Sequence, residues 1–191
     1  MKEVVKLMDY RPDIKIVDAT LRDGGLVNNF RFTDEFVKDL YQTNIKAGVD
    51  VMEFGYKADK EMFDVKDFGK WKFCDDEDIR AVVGDNNTDL KIAVMADVGR
   101  CNYKQDIKPR AESPVDVIRV ATYINQIPAA VDVIEDAVAK GYEVTCNIMA
   151  ISNAQEADIR VALDLLGKSP VNVIYIVDSF GALFPEQIMH F

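Results

Sequence analysis

An arginine and an aspartate stand side by side near the start of the chain, within Asp18-Ala19-Thr20-Leu21-Arg22-Asp23-Gly24-Gly25. This segment directly follows an apolar run at residues 14–17 that is typical of a strand. Hard divalent cations prefer carboxylate oxygens, and a guanidinium stabilises an oxyanion as its charge develops. Arg22 and Asp23 at the end of a strand therefore indicate a site that holds a metal ion beside an anionic substrate.

Three more acidic residues lie at the ends of predicted strands. Glu53 lies late in the second strand, Asp97 closes the third, and Asp178 ends the sixth. In parallel α/β folds the C-terminal ends of the strands form the functional face, so we expect these acids to meet Arg22 and Asp23 there. A metal at that face would bind a 2-oxo acid and polarise its carbonyl. The pattern indicates chemistry that makes or breaks a carbon–carbon bond next to a carbonyl.

Each of these residues also has a purely structural interpretation. Asp23 before two glycines could shape a turn, and Glu53 could be an acid satisfied by an ion pair with Arg22. Asp97 could cap the loop that follows it, and Asp178 could be a helix N-cap or a turn residue. The sequence leaves these alternatives open.

Two polar residues lie inside apolar segments. Arg119 interrupts the run 117–121, and because a buried arginine must be paired, we expect an ion pair with an interior acid, with Asp18 as the candidate. Cys146 lies in the fifth predicted strand. We expect it to be a core residue, because no histidine is available to activate its thiol. The single histidine of the chain, His190, lies at the very end of the sequence.

The elements that must position these residues alternate between strand and helix. Helical spacing of apolar residues predicts a helix that is capped by Thr33 and ended by Gly48, and three more follow at 77–83, 128–139 and 154–166. Another helix starts at Pro185. The predicted strands are 14–20, 49–55, 91–97, 115–122, 143–150 and 171–178.

This alternation predicts parallel strands joined by crossover helices. Two architectures satisfy it, an open doubly wound sheet and a (β/α)8 barrel. A complete barrel takes about 250 residues, so a chain of 191 residues supplies about six of its units. A G-x-G-x-x-G motif does not follow the first strand, which disfavours the dinucleotide-binding alternative.

Composition excludes several classes of partner. The formal net charge of −10 disfavours nucleic acids and anionic membranes, since both require basic patches. The N-terminal residues 1–13 have no signal-peptide core, and apolar runs are too short to span a bilayer. Three separated cysteines without a C-x-x-C pair predict reduced thiols in a cytoplasmic protein.

The segment from Asp18 to Gly24 resembles the signature of the DRE-TIM metallolyase superfamily, which includes HMG-CoA lyase, isopropylmalate synthase and 4-hydroxy-2-oxovalerate aldolase. Three further segments are most similar to the aldolase branch. They are Val117-Ile118-Arg119-Val120-Ala121-Thr122, Asn147-Ile148-Met149-Ala150 and Val177-Asp178-Ser179-Phe180-Gly181-Ala182. The resemblance extends over nearly the whole chain in consistent order. It implies that residues 1–191 are the N-terminal part of one TIM (β/α)8 barrel domain, truncated to about six βα units.

The resemblance also implies roles for individual residues. Asp23 matches the aspartate that ligates Mn²⁺, Mg²⁺ or a similar ion, and Arg22 matches the arginine that holds the substrate and stabilises its enolate. Glu53 matches a glutamate near the metal, and Asp178 with Ser179 matches a signature at the edge of the site. The implied activity is a metal-dependent aldolase or lyase that cleaves a 4-hydroxy-2-oxo acid, releasing pyruvate, or a related acyl substrate.

The sequence departs from the family pattern in two ways. Leu26 occupies the region where many members carry a histidine or glutamine, and leucine cannot act as a base. The family's remaining metal ligands form an H-x-H pair after the D-S/T-x-G signature, whereas this sequence stops at His190-Phe191. We interpret His190 as a residue of the preceding helix. We therefore expect the chain itself to be inactive and to bind metal weakly or not at all.

Two alternatives to the aldolase remain open. One is condensation with an acyl-CoA, as in isopropylmalate synthase, and the other is a non-catalytic barrel domain that acts through a partner. An unclosed barrel would also leave sheet edges at its first and sixth strands, which favour self-association into a homo-oligomer.

Overall fold

The computed structural model describes residues 13–190, which form one six-stranded parallel sheet with the strands in chain order. The strands are β1 (Val17–Asp18), β2 (Val51–Tyr56), β3 (Lys91–Asp97), β4 (Val117–Tyr123), β5 (Glu143–Met149) and β6 (Val173–Ile176). A doubly wound sheet reverses its strand order at a switch point, whereas a barrel keeps the order of the chain. The prediction of a truncated (β/α)8 barrel is therefore confirmed: the sheet curls as about the first six units.

Seven helices connect and flank the strands within this described range. They are α1 (Thr20–Asn28), α2 (Asp34–Ala47), α3 (Asp76–Val83), α4 (Tyr103–Asp106), α5 (Ile127–Ala139), α6 (Glu156–Lys168) and α7 (Pro185–Ile188). Single 3₁₀ turns occur at Lys70–Lys72, Arg110–Glu112, Ile124–Gln126 and Ile151–Asn153.

Helix α2 follows the sequence signals closely. The Thr33 hydroxyl accepts a hydrogen bond from the backbone N–H of Phe36, and Gly48 ends the helix in a left-handed conformation with φ of 70°. Val37 and Tyr41, one turn apart, are buried against the sheet. Capping at both ends and one apolar face are sufficient to define a helix, so the prediction of α2 is confirmed.

The first predicted strand is wrong in length. It was expected over residues 14–20, but β1 pairs with β2 only at Val17 and Asp18, and α1 already begins at Thr20. Residues 1–12, including most of the segment without a signal-peptide core, and Phe191 lie outside the described residues. Between residues 13 and 190, no helix is long and apolar enough to cross a bilayer.

The core lies between the convex face of the sheet and the helices around it. Strand β4 is buried along its length except at Tyr123, and the alternate residues Ile118 and Val120 pack outward into the core. The other large, fully buried side chains belong to the same cluster: Trp71, Phe30, Phe54, Leu21, Met52, Ile79, Ile92, Ile107, Ile127, Ile134 and Ile148.

Gly55 allows the 3₁₀ turn Lys70–Lys72 to pack directly on β2. A Cβ at position 55 would lie 1.8 Å from the carbonyl oxygen of Trp71 and 3.0 Å from the Cys74 sulfur. Backbone cannot give way as a flexible side chain can, so this contact requires a glycine. The close approach holds the whole segment after β2 against the C-terminal end of the sheet.

We predict that Gly55→Ala lowers the free energy of unfolding by about 1–3 kcal/mol, the typical effect of overpacking a core. Gly167→Ala is the matched control, because a Cβ at position 167 in α6 has nothing within 4 Å. That change is expected to stabilise the helix by about 0.5–1 kcal/mol. Urea denaturation followed by circular dichroism measures both. Equal effects of the two substitutions would contradict the close approach at Gly55.

Candidate active site at the C-terminal end of the sheet

Arg22 and Asp23 lie in the first turn of α1, not on a strand. The chain turns into this helix because Asp18 Oδ1 accepts hydrogen bonds from the backbone N–H of Thr20 at 3.3 Å and from its hydroxyl at 2.5 Å. Such local side-chain bonds compete with strand pairing. Further along α1, Gly25 packs against the ring of Phe30. The two glycines after Asp23 therefore belong to a helix, and the turn interpretation of this segment is wrong.

Glu53 is the centre of the site. Its side chain is 0% exposed, and its Oε2 atom accepts hydrogen bonds from Arg22 Nε at 2.9 Å and from Arg119 Nη1 at 2.5 Å. One carboxylate thus pairs with two arginines, one from α1 and one from β4. The other oxygen, Oε1, is buried without a hydrogen-bond partner among the described residues.

The interior ion pair predicted for Arg119 exists, but its expected partner Asp18 is wrong. The Asp18 carboxylate instead accepts a hydrogen bond from Asn44 Nδ2 at 2.9 Å, in addition to its bonds with Thr20. Register explains the difference. Asp18 of β1 is paired with Met52 of β2, so Glu53 lies one residue further along β2. It faces the concave side of the sheet, as Arg119 does.

Two further groups on the concave side contact the guanidinium of Arg119. The ring of Tyr175 lies with its centroid 5.0 Å away, and Asn147 Oδ1 accepts a long hydrogen bond of 3.5 Å from Nη2. Arg119 Nε has no partner among the described residues. The arginine therefore links β4, β5 and β6 to the carboxylate of Glu53 in β2.

Asp23 is bound to the opposite edge of Arg22. Arg22 Nη1 donates a 2.8 Å hydrogen bond to Asp23 Oδ1, and the Asp23 side chain is 70% exposed. Burial opposes the charge of Arg22, but the Glu53 carboxylate outweighs burial and raises the pKa of Arg22. The guanidinium is therefore a fixed cation held between a buried and a solvent-facing carboxylate.

Tyr56, which the sequence analysis did not single out, completes the contacts of Arg22. It ends β2, and burial raises the pKa of its hydroxyl, while the positive charge of the nearby Arg22 opposes that rise. Asp97 closes β3 nearby, and burial raises its pKa against the opposing charges of Arg100 and Lys72. The sequence signal for Tyr56 is its position at a strand's C-terminal end.

Asp178 belongs to the turn after β6. Its Oδ2 atom accepts a hydrogen bond from the backbone N–H of Leu183 at 2.8 Å, and backbone donors of this turn lower the pKa of its carboxyl. The neighbouring Ser179 Oγ accepts a bond from Ala150 N at 2.9 Å. The structure does not bring Asp178 into contact with Arg22, Asp23 or Glu53.

Between residues 13 and 190, no three His, Cys, Asp or Glu side chains are grouped to hold a metal ion. Leu26 is exposed on α1, and His190 follows α7, where Nε2 lies 3.3 Å from Glu156 Oε1. Cys146 is buried in β5, and burial raises the pKa of its thiol to about 12, so it is a core residue as predicted.

A cavity of about 520 Å³ occupies the opposite, N-terminal end of the concave face. Lys91 and Glu143, at the starts of β3 and β5, form an ion pair at its edge. In barrel folds this end contributes stability, whereas chemistry occurs at the C-terminal end. The cluster around Glu53 is therefore the candidate active site.

Comparison with known proteins shows which proteins the chain is similar to. The chain is 27% identical over 178 residues to a 4-hydroxy-2-oxovalerate aldolase from Pelotomaculum thermopropionicum. The aligned region covers 93% of this chain and 51% of that protein. It is also 27% identical over 179 residues to 4-hydroxy-2-oxovalerate aldolase 6 from Rhodococcus jostii, with 94% and 50% covered. The chain thus spans about half the length of these curated relatives. No protein-family model matches it.

Two solved structures have the same fold. The N-terminal domain of a candidate aldolase from Bacteroides vulgatus superposes with a TM-score of 0.69 at 24% identity, covering 93% of this chain and 58% of that one. The HMG-CoA lyase from Brucella melitensis gives 0.60 at 15% identity, covering 92% and 64%. The predicted resemblance to the DRE-TIM superfamily, and to the N-terminal portion of its aldolases, is confirmed.

We predict that Glu53→Gln lowers the free energy of unfolding by about 3–5 kcal/mol, because it leaves the buried Arg119 without a counter-charge and leaves Arg22 with only the exposed Asp23. Glu156→Gln is the control, since its pair with Arg160 is more than half exposed on both sides and should give no measurable change. Denaturant midpoints measure both. A small effect at Glu53 would mean that water, rather than Glu53, compensates the arginines.

Proposed function

We propose that this chain carries the enolate-stabilising half of a metal-dependent carbon–carbon lyase that cleaves a 4-hydroxy-2-oxo acid into pyruvate and an aldehyde. The observation that carries this proposal is Arg22, a cation fixed between Glu53 and Asp23 at the C-terminal end of the sheet. The similarity to 4-hydroxy-2-oxovalerate aldolases supports the same reaction class.

Arg22 is built to receive negative charge without rearranging. Glu53 holds Nε and Asp23 holds Nη1, so the plane of the guanidinium is set from two sides before substrate arrives. When the bond between C3 and C4 of the substrate breaks, the electron pair moves onto the 2-oxo oxygen. A preorganised cation next to that oxygen lowers the energy of the enolate relative to the ground state.

Asp23 fits the role of a metal ligand. Its carboxylate is exposed at the same rim, and a hard ion such as Mg²⁺ or Mn²⁺ is commonly held by one or two carboxylates together with water and substrate oxygens. When bound, such an ion would polarise the 2-oxo group. Glu53 acts by positioning Arg22, and Asp178 by holding the turn after β6 at the edge of the site.

We predict that Arg22→Ala in the full-length protein lowers kcat for aldol cleavage about 100- to 1000-fold, the usual effect of losing one preorganised charge-stabilising donor. Arg22→Lys keeps the charge but loses the planar fork, so we expect an intermediate loss. Arg31→Ala is the control, because in the described structure the Arg31 side chain donates hydrogen bonds only to the backbone carbonyls of residues 66 and 67. Pyruvate release from a panel of 4-hydroxy-2-oxo acids measures the rate.

Unfolding of each variant is measured in parallel. Parallel losses of activity and of unfolding free energy in both Arg22 variants would instead identify Arg22 as a structural partner of Glu53. A separate assay that combines acetyl-CoA with a 2-oxo acid tests the acyl-CoA condensation. Absence of turnover with every substrate would favour the non-catalytic barrel domain.

We predict that residues 1–191 bind Mn²⁺ weakly, with a Kd on the order of 0.1–1 mM, because one carboxylate with water ligands makes an incomplete site. Asp23→Asn should abolish this binding. Asp34→Asn is the control, since Asp34, like Asp23, lies exposed in the first turn of a helix and is paired with a cation, in its case Lys70. Electron paramagnetic resonance of free Mn²⁺ measures the bound fraction. Unchanged binding by Asp23→Asn would exclude Asp23 as a ligand.

A further inference from the structure

Lys72 lies in a cage of aromatic rings beside the candidate active site. Its side chain is nine-tenths buried, and its ammonium lies 4.3 Å from the ring centroid of Phe63, 4.7 Å from Tyr56, 5.1 Å from Phe30 and 5.5 Å from Phe68. In the described part of the chain this ammonium has no hydrogen-bond acceptor. Most of this side chain is removed from water while its ammonium contacts ring faces in place of an acceptor, which is costly for a purely structural residue.

One residue of this cage, Phe30, has a strained backbone conformation. Phe30 has a φ of 61°, a left-handed conformation that is unusual for a bulky residue. Its ring packs where a Cβ on Gly25 would lie 2.2 Å away, and its carbonyl oxygen would lie 2.0 Å from a Cβ on Gly69. Two glycines and one strained residue thus fix the ring beneath Lys72.

The cage leaves an excess of positive charge at the rim. Burial lowers the pKa of Lys72, Asp97 opposes this shift, and Arg100 adds to it, so both charged neighbours act on the ammonium. The four ring faces favour the ammonium form of Lys72. Arg100 Nη1 lies 3.5 Å from Asp97 Oδ2. One carboxylate, Asp97, thus faces the charges of both Lys72 and Arg100.

Tyr56 connects the cage to the reaction centre. Its ring contacts Lys72 at 4.7 Å, and its hydroxyl lies near enough to Arg22 for the arginine to lower its pKa against the effect of burial. Lys72 is thus one side chain away from the arginine that would hold the enolate. A group bound next to Lys72 would belong to the part of the substrate beyond the bond that is cleaved.

We propose that Lys72, with Arg100, forms a subsite for an anionic group, a carboxylate or a phosphate, on the aldehyde half of the substrate. This inference rests on the proposed aldolase function and specifies its substrate class. The chain has a formal net charge of −10, so its overall field repels anions and a local pair of cations is needed to recruit one. A bound anion would neutralise the positive charge of Lys72 and Arg100 that the single carboxylate of Asp97 leaves uncompensated.

The test compares matched aldehydes in condensation with pyruvate by the full-length protein, a reaction that retains every atom of both substrates. D-glyceraldehyde 3-phosphate is paired with D-glyceraldehyde, and succinic semialdehyde with pentanal. We expect kcat/KM to favour the charged member of at least one pair, and the pair that responds distinguishes phosphate from carboxylate. Lys72→Met should reduce this preference about 10- to 100-fold, the effect of losing one charged hydrogen bond.

Two further variants guard against a folding defect. Arg100→Gln changes an exposed side chain and should weaken the same preference without loss of stability. Lys60→Met is the control, because Lys60 also lies over an aromatic ring, that of Phe73 at 5.8 Å, but is half exposed and paired with Asp75. It should leave the preference unchanged. Equal use of charged and neutral aldehydes by the wild type, or an unchanged preference in both Lys72→Met and Arg100→Gln, would overturn the subsite.

Binding is measured separately so that failure of the aldolase proposal is distinguishable. Calorimetric titration with inorganic phosphate and with succinate requires no turnover. Binding that is lost in Lys72→Met and kept in Lys60→Met would support the subsite even if no aldehyde reacts. If the wild type binds neither anion and shows no preference among aldehydes that do react, the cage has only a packing role and the proposal is wrong.

Discussion

The carboxylate of Glu53 is the point on which the organisation of this molecule depends. It has no exposed surface, and two arginines from different elements donate to the same oxygen atom. A buried charge is tolerated only when it is paired, so α1, β2 and β4 must come together around it. The same contact that satisfies Glu53 sets the orientation of Arg22, and structural and chemical requirements therefore coincide at one residue.

The concave face of the sheet divides into two ends with different roles. At the N-terminal end, Lys91 at the start of β3 and Glu143 at the start of β5 pair across the intervening β4, beside a cavity. At the C-terminal end, Arg22, Asp23 and the aromatic cage of Lys72 are collected by helix α1 and the turn after β2. Arg119 joins the two ends, because it reaches Glu53 while its guanidinium lies over the Tyr175 ring.

Close backbone approach makes this arrangement possible. Gly55 lets the turn containing Trp71 and Lys72 pack directly on β2, and Gly69 lets the same turn contact Phe30. Gly69 lies in the segment 56–76, which is rich in aromatic and charged residues and has no helical or strand periodicity. Gly55 lies just before it, at the end of the predicted second strand.

The sequence by itself determined the parallel direction of the strands, the bounds of β3 and both caps of α2, because periodicity and capping are local signals. Only the tertiary structure decided the rest. Hydrogen bonds of Asp18 to Thr20 started a helix where β-branched residues predicted a strand. Arg119 pairs with Glu53, which is 66 residues away in a non-adjacent strand, because strand register decides which interior charges meet. Lys72 and Tyr56 became neighbours of Arg22 through a long loop whose path depends on packing that no local pattern encodes.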